Sequence, residues 1–268
     1  MSERNSDRLA NIPVTWKPYY RDDLIRIGSK HDGGYVVTKN AVNNTDFLVG
    51  LGIANDWTFE KEFNRLANCK VHCYDHSISF NFFLEHSIMN IRSFLFLHLF
   101  KINTNVVLLP VKYKRFFING KKHFKEKIGD NPEKETNFEK IFSRIPEDKK
   151  VFLKIDIEGS EYQVLDSLDK FYHRISGITI ELHDVDILFD AVNKHIEKLK
   201  EYFDVVHIHI NNNGGISADG IPRVIEVTFE NKKIFSGESR LSDLQYPILD
   251  IDSPNNKRCP DFEIRFNG

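Results

Sequence analysis

Three cysteines in 268 residues, Cys69, Cys73 and Cys259, are too few and too irregularly spaced for a disulfide framework, and no C-x-x-C pair suggests a zinc–thiolate site. So sparse a set fits a reducing compartment, and the expected location is the cytoplasm. An excess of either charge is also missing: 37 lysines and arginines face 39 aspartates and glutamates, a formal net charge of −2. A general nucleic-acid binder normally carries a basic surplus, and an unfolded acidic chain the opposite, so the balance argues against both. No apolar run reaches the roughly 20 residues that a membrane span needs. The most apolar segment, 80–100, is broken by Glu85, His86, Asn90, Arg92 and His98 and reads as a buried or cap helix. The opening residues Met1-Ser2-Glu3-Arg4-Asn5 lead into no apolar stretch, so no secretory leader is expected.

What is present is a globular composition, 41% hydrophobic with 22 phenylalanines. Short apolar runs alternate with helical patterns. Strands are expected at 47–52, 70–75, 106–111, 151–157, 177–182, 204–210 and 223–229, with helices at 56–68 and 185–202. Buried strands separated by helices predict a mostly parallel α/β sheet with right-handed crossovers and helices on both faces. The glycine-marked link 214–220 suits an antiparallel last strand. The length fits one domain, 1–268, with an N-terminal arm over about 1–25 and an insertion or cap region over about 78–150.

The first strand ends in Gly50-Leu51-Gly52 and runs into a helix, where a nucleotide-type cofactor approaches backbone closely. Asp75 lies 23 residues beyond Gly52, at the end of the second strand, where a carboxylate accepts hydrogens from an adenosine ribose. A third glycine is missing. Asp56, and Glu60 one turn later, occupy the helix start instead; they would stabilise it but would repel the phosphates of a dinucleotide. A cationic cofactor without phosphate tolerates them, and S-adenosylmethionine is one.

Central parallel strands should be apolar on both faces. Here several are not. Lys154, Asp156 and Glu158 share one face of the fourth strand, Glu181 and His183 extend the fifth, His209 and Asn211 the sixth, and Glu226 lies on the seventh. Lys154 with Glu226 is expected to form a structural ion pair. The remainder cluster at carboxyl strand ends, where open α/β sheets bind ligands. Two chemistries fit: Asp156, His183 or His209 takes a proton from an alcohol, or Asp156, Glu181 and His183 hold a divalent metal of the manganese, iron or zinc class.

The segment Val151-Phe152-Leu153-Lys154-Ile155-Asp156-Ile157-Glu158-Gly159-Ser160-Glu161-Tyr162 closely resembles the K-I-D-x-E-G-x-E motif of the FkbM family. His31-Asp32-Gly33-Gly34-Tyr35, the run from Gly50 to Glu60, Val71-His72-Cys73-Tyr74-Asp75, and 207–213 with 221–226 resemble the same family. The likeness spans about 25–250 and is weak over 78–150. It implies a seven-stranded Rossmann-like methyltransferase fold and S-adenosylmethionine bound by Gly50, Gly52 and Asp75, with Asp56 and Asp156 also expected to contact the cofactor. It also implies that Asp156 stands between the cofactor and its acceptor. The expected activity is O-methylation of a sugar hydroxyl on a nucleotide-linked sugar or surface-polysaccharide intermediate. Lys112, Lys114, Lys121, Lys122, Lys125 and Lys127 would meet a diphosphate or form a solvated surface. A nicotinamide-dependent sugar oxidoreductase and a non-catalytic carbohydrate-binding module are the rivals. The oligomeric state is open, a homo-oligomer included.

Overall fold

A computed structural model describes residues 8–97, 103–118, 120–131 and 133–268. Seven strands form the central sheet: β4 (Phe47–Leu51), β5 (Lys70–Tyr74), β6 (Lys121–Phe124), β7 (Val151–Ile155), β8 (Ile175–Leu182), β9 (Phe203–Ile210) and β10 (Ile225–Asn231). Their spatial order is β6-β5-β4-β7-β8-β10-β9. Pairing is parallel except at β10, which runs antiparallel to both β8 and β9. The mostly parallel sheet with a reversed last strand is therefore as the sequence pattern predicts. Two small sheets flank it: β1 (Leu9–Pro13) with β11 (Glu263–Asn267), and the hairpin β2 (Leu24–Gly28) with β3 (Gly34–Thr38).

The helices are α1 (Lys39–Asn43), α2 (Thr58–Ala67), α3 (Phe80–Leu97), α4 (Thr104–Phe116), α5 (Phe138–Ser143), α6 (Glu161–Leu165) and α7 (Phe189–Lys200). Helix α7 buries Val192, Ile196 and Leu199, one stripe at helical spacing. Helix α2 buries Phe59 and Phe63 but also Glu60, and Asn68 in the left-handed conformation ends it with its N–H on Asn64 O. Within the segment read as an arm, Ala10, Ile12 and Trp16 are buried, and Trp16 Nε1 donates to Asn193 Oδ1 at 2.8 Å.

One strand assignment is overturned. Residues 106–111 lie in helix α4, and the third parallel strand is β6, inside the lysine-rich stretch. An apolar run such as Val-Val-Leu-Leu-Pro-Val does not by itself separate strand from helix. Here the Asn103 side chain caps the Asn105 N–H, and the turns that follow pack against α3. Edge strand β6 is polar because it has one neighbour and little to bury.

The two faces of the sheet differ. Val49, Leu51, Leu153, Ile155, Ile178, Ile180 and Ile208 form an apolar core on one side. On the other, Leu48 and Phe152 meet α2 through Phe63, while β7, β8, β10 and β9 present buried polar groups. The β2–β3 hairpin covers them: Thr228 Oγ1 donates to Val36 O at 2.6 Å and Thr38 Oγ1 to Glu230 Oε1 at 2.7 Å. Arg21 pairs with Asp204 and Glu230 beneath the same cover.

Gly52, at φ +72°, is where β4 crosses the end of β7; a Cβ there would sit 1.7 Å from Asp156 O. Gly215 has nearly the same φ, +73°, with nothing within 4 Å of an added Cβ. Gly215→Ala should therefore cost about 1 kcal/mol, the left-handed backbone penalty alone. Gly52→Ala should cost more than about 3 kcal/mol, as backbone must move as well. Urea denaturation of the two variants measures the difference.

Candidate functional site

At the carboxyl ends of β4, β5 and β7 lies a cleft of about 750 Å³, bordered by Gly52, Asp56, Glu60, Asp75, Lys154 and Asp156. The β4–α2 turn forms one wall. Asp75, the first residue past β5, holds that turn: its Oδ2 accepts from the Ile53 and Ala54 N–H groups at 3.1 and 2.9 Å. Its Oδ1 accepts from Ser77 N and Oγ at 2.8 and 2.6 Å. Burial alone would raise its pKa, but these bonds lower it. To receive ribose hydroxyls, Asp75 must exchange some of these bonds, with the Ser77 hydroxyl the easiest to turn away.

Gly50 does not border the cleft. A Cβ there would meet Glu60 Oε1 at 2.9 Å, so its missing side chain makes room for the Glu60 carboxyl. Glu60 is buried with neither oxygen hydrogen-bonded, and burial pushes its pKa up to about 7 despite Lys154 nearby. Asp56 stays exposed, and its Oδ1 accepts from Thr58 N at the start of α2.

Lys154 does not pair with Glu226 as expected. Its ammonium donates to Gly52 O at 2.5 Å and Asp156 Oδ2 at 3.0 Å. Burial would lower its pKa, yet Asp156, Glu60 and Glu181 raise it. The Lys154 and Asp156 Cβ atoms lie on one face of the strand and its extension, which makes this the nearest carboxylate, whereas Glu226 stands two strands away on β10.

Beside Asp156 the polar strand faces converge. Tyr35 OH, from the His-Asp-Gly-Gly-Tyr motif, lies 3.1 Å from Asp156 Oδ2 and 3.2 Å from Glu181 Oε2. Asn211 Nδ2 donates to Glu181 Oε1 at 2.9 Å. His183 Nδ1 bonds Glu161 Oε1 at 3.0 Å, while its Nε2 faces Glu158 at 3.5 Å and Glu181 at 3.6 Å. Burial opposes the charged imidazole, but Glu161, Glu181 and Glu158 raise its pKa. Burial with Asp156 and Glu226 nearby raises that of Glu181. Asp156, Glu181 and His183 are thus brought together as expected, but both Glu181 oxygens are engaged. The trio whose ligand atoms lie within 4.8 Å of one another is Asp156, Glu158 and His183.

His209 is not part of this group. It is buried between Glu226 Oε2 on Nδ1 at 3.2 Å and Asp261 Oδ2 on Nε2 at 3.0 Å. Burial would lower its pKa, but the two bonded carboxylates and nearby Asp252 raise it to about 10. A ring with both nitrogens bonded and its proton held this firmly is no general base, which corrects the catalytic expectation for His209. Sequence reasoning missed Tyr35, Glu161 and the buried role of Glu60. The first two sit inside motifs that were visible; nothing in the sequence marked Glu60 as buried. Of the six lysines expected to meet a diphosphate or solvent, Lys127 alone borders the cleft, and it pairs with Glu135 at 2.6 Å.

The His209 bridge yields a signed pH prediction. A raised folded pKa stabilises fully below the unfolded value near 6.5 and is lost as pH rises through about 10. The wild-type urea midpoint should fall between pH 7 and pH 10, and fall less in His209→Gln. At pH 7, His209→Ala should cost about 3 kcal/mol, because buried Glu226 and partly buried Asp261 lose their shared partner.

Residues 116–206 match a protein family described as "Methyltransferase FkbM domain". The stretch contains Lys154, Asp156, Glu161, Glu181 and His183, so the family resemblance of the strand-four motif is borne out there. Solved structures are also similar to this chain. An rRNA methylase from Streptococcus thermophilus is 13% identical with a TM-score of 0.39, covering 72% of this chain and 92% of that one. A precorrin-6y C5,15-methyltransferase from Geobacter metallireducens is 11% identical with a TM-score of 0.37, covering 72% and 84%. The fibrillarin pre-rRNA processing protein of Methanococcus jannaschii is 8% identical with a TM-score of 0.37, covering 82% and 84%. No curated protein matches the sequence. The match gives no support to a nicotinamide oxidoreductase or a carbohydrate-binding module.

Proposed function

We propose that this chain, whose residues 116–206 match the FkbM methyltransferase domain, transfers a methyl group from S-adenosylmethionine to a sugar hydroxyl. The observation carrying this reading is the cleft, which joins the Gly52 turn, Asp75 and Asp156 in one acid-rich cavity. Asp32, Asp56, Asp75, Asp156 and Glu158 line it, while the ammonium of Lys154 is taken by Asp156. Such a lining favours a cationic cofactor over a dinucleotide, and an uncharged sugar over one bearing a diphosphate.

S-adenosylmethionine, when bound, supplies an electrophilic methyl on a sulfonium. Gly52, Asp56 and Asp75 would hold it. Asp156 would take the proton of the acceptor hydroxyl, whose oxygen gains the methyl as the sulfonium–methyl bond breaks. Lys154 and Tyr35 fix the Asp156 carboxylate, so that alignment supplies much of the acceleration. His183, held by Glu161 with Glu158 and Glu181 beside its other ring nitrogen, would orient the acceptor. The alternative is a metal held by Asp156, Glu158 and His183, whose ligand atoms lie within 4.8 Å of one another.

Calorimetry should give binding of S-adenosylmethionine and none of NAD; the reverse result overturns the reading. Asp156→Asn should lower kcat at least about 100-fold, the usual worth of a general base, while leaving cofactor affinity nearly unchanged. Turnover, followed as S-adenosylhomocysteine released with a panel of sugars, should survive treatment with EDTA. Loss on EDTA and recovery with Mn²⁺ would favour the metal-assisted route.

A further inference from the structure

Helices α3 and α4 do not behave like the other helices. Eight of the sixteen large apolar side chains that stand exposed among the described residues fall within 82–118: Phe82, Leu84, Ile88, Met89, Phe94, Leu108, Val111 and Ile118. The two helices pack on each other, with Ser87 Oγ donating to Val107 O at 3.1 Å and Asn103 N to Asn90 Oδ1 at 3.1 Å. Phe83 and Phe116 anchor them to the core below. Among the described residues these eight apolar side chains stand uncovered, interspersed with polar and charged ones. A helix apolar around most of its circumference is normally buried in protein or in lipid.

Charge points to the occupant. The two helices carry Arg92, Lys112, Lys114 and Arg115 against one acid, Glu85, in a chain whose overall charge is −2. Lys121, whose ammonium lies 5.7 Å from the Phe116 ring centre, adds to the same sign. Apolar side chains flanked by lysine and arginine match the headgroup boundary of an anionic bilayer. Among the described residues no helix is long and apolar enough to cross a membrane, so the contact lies along the surface.

The pair is also tied to the cleft. Tyr113 OH of α4 lies 2.6 Å from His123 Nδ1, and His123 Nε2 lies 2.9 Å from Asp75 O. We propose that α3 and α4 seat this protein on an anionic lipid surface, presenting the cleft to an acceptor sugar carried on a lipid. The lipid-borne acceptor rests on the methyl-transfer reading; the lipid contact does not.

Flotation of the full chain with phosphatidylcholine vesicles, with and without phosphatidylglycerol, tests this. The protein should float with the anionic vesicles, at least about tenfold less with neutral ones, and less again at about 1 M salt. Met89 and Val111 are each 63% exposed, so Met89→Glu/Val111→Glu should fold normally by circular dichroism and keep its cofactor affinity. It should lose flotation at least tenfold, as should Lys112→Glu/Arg115→Glu. No flotation of the wild type, or equal flotation of both variants, overturns the proposal. So does a dimer in sedimentation velocity that dissociates in Met89→Glu/Val111→Glu, which would make the face a joint between two copies. A wild type that floats yet binds no S-adenosylmethionine defeats the methyl-transfer reading and leaves the lipid contact standing.

Discussion

A single buried ammonium organises the carboxyl edge of the sheet. Lys154 reaches from β7 to the Gly52 carbonyl and to Asp156, and its charge offsets Glu60 beneath the cleft. A buried carboxylate without a cation would take up a proton or open the fold to water. Lys154 also gives the Asp156 carboxylate its cationic partner beside Tyr35, at the end of β7. The β4–α2 turn is held from two sides, by Lys154 through Gly52 O and by Asp75 through the next two N–H groups. The cleft wall thus depends on polar contacts that converge from three strands.

Behind this edge the polar layer continues as a series of closed units. Glu161 accepts from the Ile157 and Gly159 N–H groups and from His183, tying the loop after β7 to the end of β8. Farther along, His209 joins Glu226 to Asp261 and His207 meets Asp252, fastening the C-terminal segment across β9. The first group adjoins the cleft through Ile157, with Glu161 itself fully buried. The second is sealed, with both imidazole nitrogens of His209 used. Similar residue types on nearby strands therefore differ in access to solvent: the His183 side chain is 16% exposed and that of His209 2%.

The strand-four motif and the alternation of short buried strands with helices were enough to anticipate a parallel α/β sheet, its reversed last strand and the meeting of Asp156 with Glu181 and His183. Period-2 alternation carries that information because side chains on one strand face are fixed by register. The helix at 106–111 was not legible, since a short apolar run fits either a strand or a helix until its packing is known. The Lys154 partner was missed for a related reason. Sequence shows which face a side chain takes, not which of several acids lies within reach.

Composition and local pattern alone determined a folded α/β chain without disulfide or zinc–thiolate spacing, and the carboxyl strand ends as the place for a site. Those follow from residue type and periodicity, which are local properties. Tertiary structure decided that Gly50 yields space to Glu60, that Asp75 holds the turn, that His209 is locked between two carboxylates, and that α3 and α4 leave an apolar, basic face uncovered. Each of these depends on distances between segments far apart in the chain, from 10 residues for Gly50 and Glu60 to 52 for His209 and Asp261. Local pattern cannot encode such distances, because burial and charge pairing are fixed only when the segments meet.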